Sequence, residues 1–389
     1  MKQTIVYITG FRQHAGKTFT SLGIISLLRK VMDPSLIGYL KPVGQELVQL
    51  SDGKKIDKDA TLIGKFSQIP DIDLDSISPV RLGSGFTKNY LKKENHLEET
   101  RKLEDAILQS IKKLSHKRVI IAEGSGHPGV GGIVGLSNAD VSNLIDADII
   151  FLSGGGIGKA LDMLEVDLSY FLYKKSRVRG LIFNKLIPEK IDSVKEFITE
   201  DLLNKKYGAF GGPLRILAFL PEVDFLSKPS MKTILGKIKP IEYIGNPEEK
   251  QWKIPCNSIR VISVPAEHLK LEHYLQPRDI VLLGASSVKK IEKILEYSRA
   301  SKNRICGIVL TCGKTDPLNP EIRSKIEDSG IPALYLEEGT AESEARLLDI
   351  FENTKIQEYD IVKIKEIEKI FEEHFDLEKF IESFNIELK

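Results

Sequence analysis

Between Gly10 and Thr18 the chain reads GFRQHAGKT, two glycines bracketing five residues and followed by a lysine and a threonine. A lysine there supplies a cation for phosphoryl oxygens, and a threonine supplies a hydroxyl for a hard divalent cation. The glycines let the backbone close around both. The usual phosphate-cradling loop has one residue fewer between its glycines. The same looser spacing recurs in GIVLTCGKT, Gly307 to Thr315, so local context has to choose between the two. A phosphate loop needs amides that are free of a strand ladder and converge on the start of a helix. At the first place, the strand TIVYIT ends at Gly10 and FRQHA is no apolar run. KTFTSLGIISLLRK then reads as a helix with Leu22, Ile25 and Leu28 on its inner face. At the second, IVLTC is itself strand, and Pro317 and Pro320 delay any helix until about Glu321. Gly16-Lys17-Thr18 is the predicted phosphate site, and Gly313-Lys314-Thr315 a strand-end turn.

Magnesium held with a nucleotide needs further hard oxygen ligands. Glu123 ends the apolar run RVIIAE before a glycine-rich loop, where a buried carboxylate is costly without a partner. Asp57 and Asp59 precede an amphipathic segment, and either one could equally serve as a helix N-cap. Lys41, in YLKPVG, ends another strand; alone it would read as a surface lysine. Read as a metal ligand only, Glu123 replaced by Gln should lose turnover with little change in stability. Arg12 and His14 lie within the phosphate loop and fit either an acceptor contact or a solvent-facing loop. His127 sits beside Glu123 in GSGHPGVGG, where an acid/base role is conceivable. Gly154 to Gly158 open a helix after a strand, which fits close backbone packing better than an anion nest. Cys306 and Cys312 read as small core residues.

Six apolar runs alternate with amphipathic stretches over the first 220 or so residues: QTIVYIT, LIGYLKPV, RVIIA, ADIIFL, VRGLIFNKL and LRILAFLPE. Strands alternating with helices predict an α/β fold with a parallel sheet covered on both faces. Residues 228–258 interrupt the rhythm with Pro and Lys, and IRVISV, RDIVLLG, RICGIVLTC and IPALYLEE then start a second alternation. The expected division is residues 1–230 and a smaller α/β unit over 231–389. Its tail, with Ile367, Ile370, Phe371 and Phe375 at helical spacing, should pack on that second unit.

With 41% hydrophobic and 29% charged residues the composition is globular, and a formal charge of +1 offers no field to recruit nucleic acid or an anionic membrane. Three cysteines without a CxxC pair argue against a disulfide framework. No run approaches the ~18 apolar residues of a membrane span, and MKQTIVYITG lacks the pattern of a secretory signal. A soluble, cytoplasmic protein is expected.

The ordered set of variant loop, KPV, Asp-containing segment, EG plus glycines, and NK after a later strand resembles the dethiobiotin synthetase-like (BioD-like) P-loop domain. That resemblance implies a P-loop NTPase fold and the cofactors ATP and Mg2+. Lys17 would bridge the terminal phosphates within a cradle begun by Gly10 and Gly16, and Lys41 would face the γ-phosphate or acceptor. Thr18, Glu123 and Asp57 or Asp59 would ligate magnesium, and Asn184 would meet the adenine edge. EGSGHPGVGGIVGLSNADVSNLI and SGGGIGKALD resemble more narrowly the BioD-like region that precedes the catalytic part of some phosphotransacetylases. YLQPRDIVLLG and GIPALYLEEGTAESEARLLDIF are similar to the DRTGG domain that follows there, although the Asp-Arg-Thr-Gly-Gly string itself is absent. Acetyl transfer is not expected, and HPGVGGIVGLSNAD departs from the synthetase's acceptor loop.

Two functions follow from these residues and the resemblance. One is a nucleotide-responsive regulatory module that is expected to self-associate as a dimer through its DRTGG-like part. The other is an ATP-dependent ligase that activates a carboxylate or carbamate of a small-molecule acceptor. Both rest on the first loop. Lys17→Ala should abolish ATP binding in calorimetry, and Lys314→Ala should leave it intact; equal losses would refute the choice of loop.

Overall fold

A computed structural model describes residues 3–50, 52–208, 212–300, 304–314 and 318–388. The chain forms two compact units. One comprises residues 1–222 together with 364–389, and the other comprises residues 223–363.

In the first unit the six apolar runs become six strands: β1 Thr4–Gly10, β2 Ile37–Leu40, β3 Val119–Glu123, β4 Asp148–Gly154, β5 Arg177–Leu186 and β6 Arg215–Pro221. They form one sheet in the order β6-β5-β4-β1-β3-β2, with every pair parallel. Alternate side chains face opposite ways. Tyr7, Ile120, Ala122, Phe151, Leu181 and Phe183 pack on one face with Leu164, Leu168 and Phe171, which come from helix Ile157–Tyr173. The intervening Val6, Ile8, Ile121 and Ile150 are buried as well. A sheet covered on both faces is what continuous apolar strands require. The result is an all-parallel sheet with helices on its faces.

Two helices matter for the site. Helix α1, Lys17–Leu28, follows β1 directly, and α2, Lys58–Phe66, starts behind Asp57. Ten of the twelve residues of α1 are buried, so both sides of the helix are covered, not the inner face alone. The outer cover is helix α3, Ile361–His374. The Phe371 ring lies so close to Gly23 that a Cβ there would fall 2.2 Å from it. Phe371 also meets the Phe19 ring edge-on at 5.2 Å between centroids. Farther on, the Asp376 amide donates to the Leu217 carbonyl of β6 at 2.9 Å. The apolar face predicted for the tail is therefore correct, with Ile367, Ile370, Phe371 and Phe375 all buried. Its partner is the first unit and not the second.

The second unit holds β7 Glu242–Ile244, β8 Ile259–Val261, β9 Ile280–Gly284, β10 Gly307–Thr311 and β11 Ala333–Tyr335. Their order is β7-β11-β10-β9-β8, parallel except for β7 at the edge. The four runs read from the sequence are here. The fifth strand comes from the stretch read as an interruption, which also gives helix Met231–Lys237. Met231, Ile234 and Trp252 lie in the core of this unit with Leu282 and Val309. The division thus falls at residue 222 instead of 230, and the tail returns to the first unit. Among the described residues no helix is long and apolar enough to cross a membrane.

Phe371→Ala should cost ~3–5 kcal/mol, as loss of a buried ring does, and Gly23→Ala should also destabilise by overlap with that ring. Hydrogen exchange in α1 checks both. Unchanged protection of residues 17–28 would mean that the tail does not support this helix.

Candidate functional site

All strands of the first sheet point one way, so their carboxyl ends share an edge. Strand β1 lies between β3 and β4: the chain goes from β1 to β2 and β3 on one side and then crosses to β4 on the other. Such a switch point is where open α/β sheets form ligand crevices. Gly10, Glu123 and Gly154 end three adjacent strands there, with Lys41 just past the end of β2 and Asn184 near the end of β5.

The loop from Gly10 to Lys17 turns through two left-handed residues, His14 at φ 63° and Gly16 at φ 98°. Glycine is required at 16 on steric grounds too, since a Cβ would fall 2.2 Å from the Asn184 amide nitrogen. No side chain caps α1, and its first turn carries no acidic residue. The first bond into the helix is Thr20 N–H to the Gly16 carbonyl at 2.9 Å, so the preceding amides of the turn have no acceptor within α1. Those amides and the helix dipole favour an anion at this point. Gln13 ties the loop to Glu46 at 3.0 Å, and the Arg12 guanidinium lies 4.9 Å from the centroid of Phe11.

Lys17 is 8% exposed. Its ammonium donates to the Arg12 carbonyl and to the Gly126 carbonyl, each at 3.1 Å. It therefore joins the phosphate loop to the glycine-rich loop after β3.

Glu123 is the hub. It has no exposure and accepts from four donors: Thr18 Oγ1 at 2.8 Å, Ser21 Oγ at 2.9 Å, Tyr39 OH at 3.1 Å and Lys41 Nζ at 2.9 Å. Lys41 Nζ also donates to Asp59 Oδ2 at 2.7 Å. Burial pushes the Glu123 carboxyl upward, against the pull of Lys41. Burial equally disfavours charge on Lys41, but Asp59, Glu123 and Asp57 hold its ammonium well above the ordinary lysine range. For Asp59 burial is again the largest influence and works upward, yet Lys41 outweighs it and holds the carboxyl below the usual range. Burial and the Glu123 charge keep Tyr39 a protonated donor.

The two aspartates separate in this setting. Asp57 caps α2 through the Asp59 amide at 2.9 Å and accepts the Gln45 amide at 3.0 Å. Burial raises its carboxyl to about 6. It thus has the helix-capping role that was one of its two sequence readings, and Asp59 is the carboxylate beside Lys41 and Glu123. Asn184 is buried, donating to the Ala15 carbonyl at 2.8 Å and accepting from the Lys185 amide at 2.9 Å. One of its amide hydrogens and one carbonyl lone pair remain for another partner. His127 is exposed, and its Nδ1 accepts the Gly129 amide at 3.2 Å. Gly154 packs against the Asn184 carbonyl, where a Cβ would sit 2.8 Å away, which is the backbone packing expected of it.

Three further residues organise the site without having been singled out in the sequence. Ser21 stands one helical turn beyond Lys17, and Tyr39 stands two residues before Lys41 on the same side of its strand, a spacing that could have suggested both. Asn138 has no such signal. Its amide donates to the Ser125 and His127 carbonyls at 2.8 and 2.6 Å and accepts from Tyr7 OH at 2.9 Å, so it shapes the loop that reaches Lys17.

The second Gly-Lys-Thr lies differently. The Gly313 amide donates to the Leu336 carbonyl at 2.9 Å, Lys314 is exposed, and the next helix begins only at Pro320. Thr315 and Pro317 lie outside the described residues. A strand-end turn is what the sequence predicted there.

The set of Thr18 hydroxyl with Asp59 and Glu123 carboxylates is all hard oxygen, which suits magnesium. Among the described residues no group of three or more His, Cys, Asp or Glu side chains forms a metal cluster.

Residues 4–247 match an AAA domain family. Among solved structures, the chain is similar to the septum site-determining protein MinD of Pyrococcus horikoshii OT3, complexed with Mg-ADP. The identity is 14% over 58% of this chain and 84% of that one, with a TM-score of 0.33. The cell division ATPase MinD of Pyrococcus furiosus is 13% identical over 58% of this chain and 86% of its own, with a TM-score of 0.32. The signal recognition particle receptor FtsY of Elizabethkingia anophelis, in complex with GDP, is 10% identical, covering 48% and 50%, with a TM-score of 0.26.

The four donors around Glu123 change the expectation for its neutralisation. An amide in that position would turn a donor toward hydroxyl donors and leave Lys41 with one carboxylate fewer. Glu123→Gln and Lys41→Met should each destabilise by ~3–5 kcal/mol, the loss typical of breaking a buried pair. The double variant should lose at least ~1 kcal/mol less than the sum. Urea unfolding of the four proteins measures it, and strict additivity would show that the two charges do not stabilise each other.

Proposed function

The chain belongs to the AAA domain family that matches residues 4–247, and from that premise we propose a Mg-ATP-binding, ATP-hydrolysing protein whose nucleotide state regulates its second α/β unit. The observation that carries the reading is the convergence of Lys17, Thr18, Lys41, Asp59 and Glu123 at the start of α1. In this reading the amides of the first turn and the Lys17 ammonium receive the β- and γ-phosphates. Lys17 exchanges carbonyl partners for phosphoryl oxygens, so the loop carrying Gly126 is released or tightened with the phosphate. Thr18, Asp59 and Glu123 would hold magnesium, which when bound supplies charge stabilisation on the phosphate oxygens. Lys41 keeps the two carboxylates compatible with burial and faces the transferring group. The unused donor and acceptor of Asn184 meet the base. A DRTGG-like identity for the second unit, and self-association through it, belong to the same proposal.

A second reading, an ATP-dependent ligase, is favoured by one feature. The glycine-rich loop carrying His127 is tied directly to Lys17 through Gly126, so an acceptor bound by that loop would lie beside the phosphates. The two readings differ in what ATP does to residues 223–363. Asp59→Asn should lower Mg-dependent ATP hydrolysis by roughly 10–100-fold, the usual loss on removing a carboxylate that supports a metal site. In the wild-type protein, Mg-ATP should change hydrogen exchange within residues 223–363. Hydrolysis that survives Asp59→Asn at full rate would remove the metal assignment. Unchanged exchange in 223–363 at saturating Mg-ATP would remove the regulatory role and favour the ligase.

A further inference from the structure

The second unit contains two thiols that the nucleotide chemistry leaves unused. Cys306 immediately precedes β10, and Cys256 stands 50 residues earlier, beside Pro255, which bridges to Ser230. Both are buried, at 5% and 1% exposure, and their sulfurs are 3.0 Å apart. That is closer than the roughly 3.5–4 Å at which non-bonded carbon atoms pack. The two backbones are fixed independently: the Cys256 amide donates to the Pro229 carbonyl and the Cys306 amide to the Asp279 carbonyl, each at 2.8 Å. The fold, not chain proximity, brings the sulfurs together. Burial, followed by the Cys306 neighbour, pushes the Cys256 thiol well up, so at rest it is protonated.

Access exists on one side. Cys306 lines a cavity of about 300 Å³ whose walls also include Lys250, Arg278 and Arg304, three exposed cations. Such a mouth favours small anions. We infer that Cys256 and Cys306 form a reversible dithiol–disulfide couple, oxidised by a small anionic disulfide that enters past Lys250, Arg278 and Arg304. The Cys306 thiolate attacks one sulfur of that disulfide, RSSR, and the first RS− leaves. Cys256 then gives up its proton, its sulfur attacks Cys306 Sγ in the mixed disulfide, and the second RS− leaves. Two protein thiols and RSSR become one protein disulfide and two RSH. The product closes a 50-residue separation across the core of the second unit and restricts its unfolded chain. The inference stands on the thiol geometry alone and does not depend on the nucleotide reading.

Glutathione disulfide is a suitable probe on the full chain, followed by acid quenching, alkylation under denaturing conditions, intact mass and peptide mapping. The free cysteines should fall from three to one, with Cys256 and Cys306 in a single cross-linked peptide that carries no glutathione. Dithiothreitol should restore all three. Cys312→Ser should form the same bridge, whereas Cys256→Ser should retain glutathione on Cys306. Three persisting thiols, or a bridge through Cys312, would overturn the inference, and the wild-type map decides the matter even if Cys256→Ser fails to fold.

Discussion

A carboxylate without solvent exposure has to be surrounded by donors, and at Glu123 that requirement organises the phosphate-loop region. Removing one ionised group from water costs several kcal/mol after relaxation. Hydrogen bonds to a charged group return ~1.5–3 kcal/mol each, so three or four donors are needed to offset the loss. The four come from two separate elements: Thr18 and Ser21 on α1, and Tyr39 and Lys41 at the end of β2. One buried charge thereby sets the rotation of α1 about its axis and the position of the chain leaving β2. Lys41 is then a buried cation with its own need, and Asp59 meets it from the first turn of α2. Phosphate loop, second strand and second helix are linked through a single carboxylate.

The parallel sheet makes this economical. With all six strands running the same way, each connection returns through a helix, and every residue just past a strand end emerges on the same edge. Ile8 pairs with Glu123 across β1 and β3, and Gly10 pairs with Leu152 across β1 and β4. The phosphate loop therefore rises between Glu123 on one side and Gly154 on the other. The chemistry at this edge is a consequence of strand order.

That geometry also explains what the sequence revealed. An apolar run ending in a polar or glycine residue marks a strand end facing the crevice, so Gly10, Lys41 and Glu123 could be picked out without knowing which strands were neighbours, whereas Asn184 came only with the family resemblance. Nine strands of the two large sheets were legible because buried strands are continuous apolar runs, and β8, a part-exposed edge, was legible from its β-branched residues. Strand β7 was not, since Glu242–Ile244 is a short edge with only Ile244 fully buried. Asp57 and Asp59 could not be separated by spacing, because a helix N-cap and a carboxylate two residues later differ only in what packs above them. The tail illustrates the same limit. Its helical periodicity gave the buried face of Phe371, but periodicity says nothing of the partner. A glycine inside a helical pattern, as at Gly23, carries no mark of the ring that packs on it. Asn138 was silent because its four hydrogen-bonding contacts are to backbone groups and a tyrosine brought close only by the fold.

The chain path bears on how a nucleotide signal would be carried. Because the first unit takes back residues 364–389, the second unit is an insertion joined to it at two places, after Glu222 and before Ile364. The return connection leads into α3, which seats Phe371 on Gly23 of α1, the helix that begins at the phosphate loop. A shift of α1 on phosphate binding would strain or relieve that ring contact and reach residue 364 within two helical turns of Phe371. The other connection follows β6, which is hydrogen-bonded to β5 and so to the strand that carries Asn184. On the regulatory reading proposed above, a nucleotide engaging both the phosphate loop and Asn184 would act on elements that lead to both ends of the insertion. A domain appended after a single linker would have only one such route.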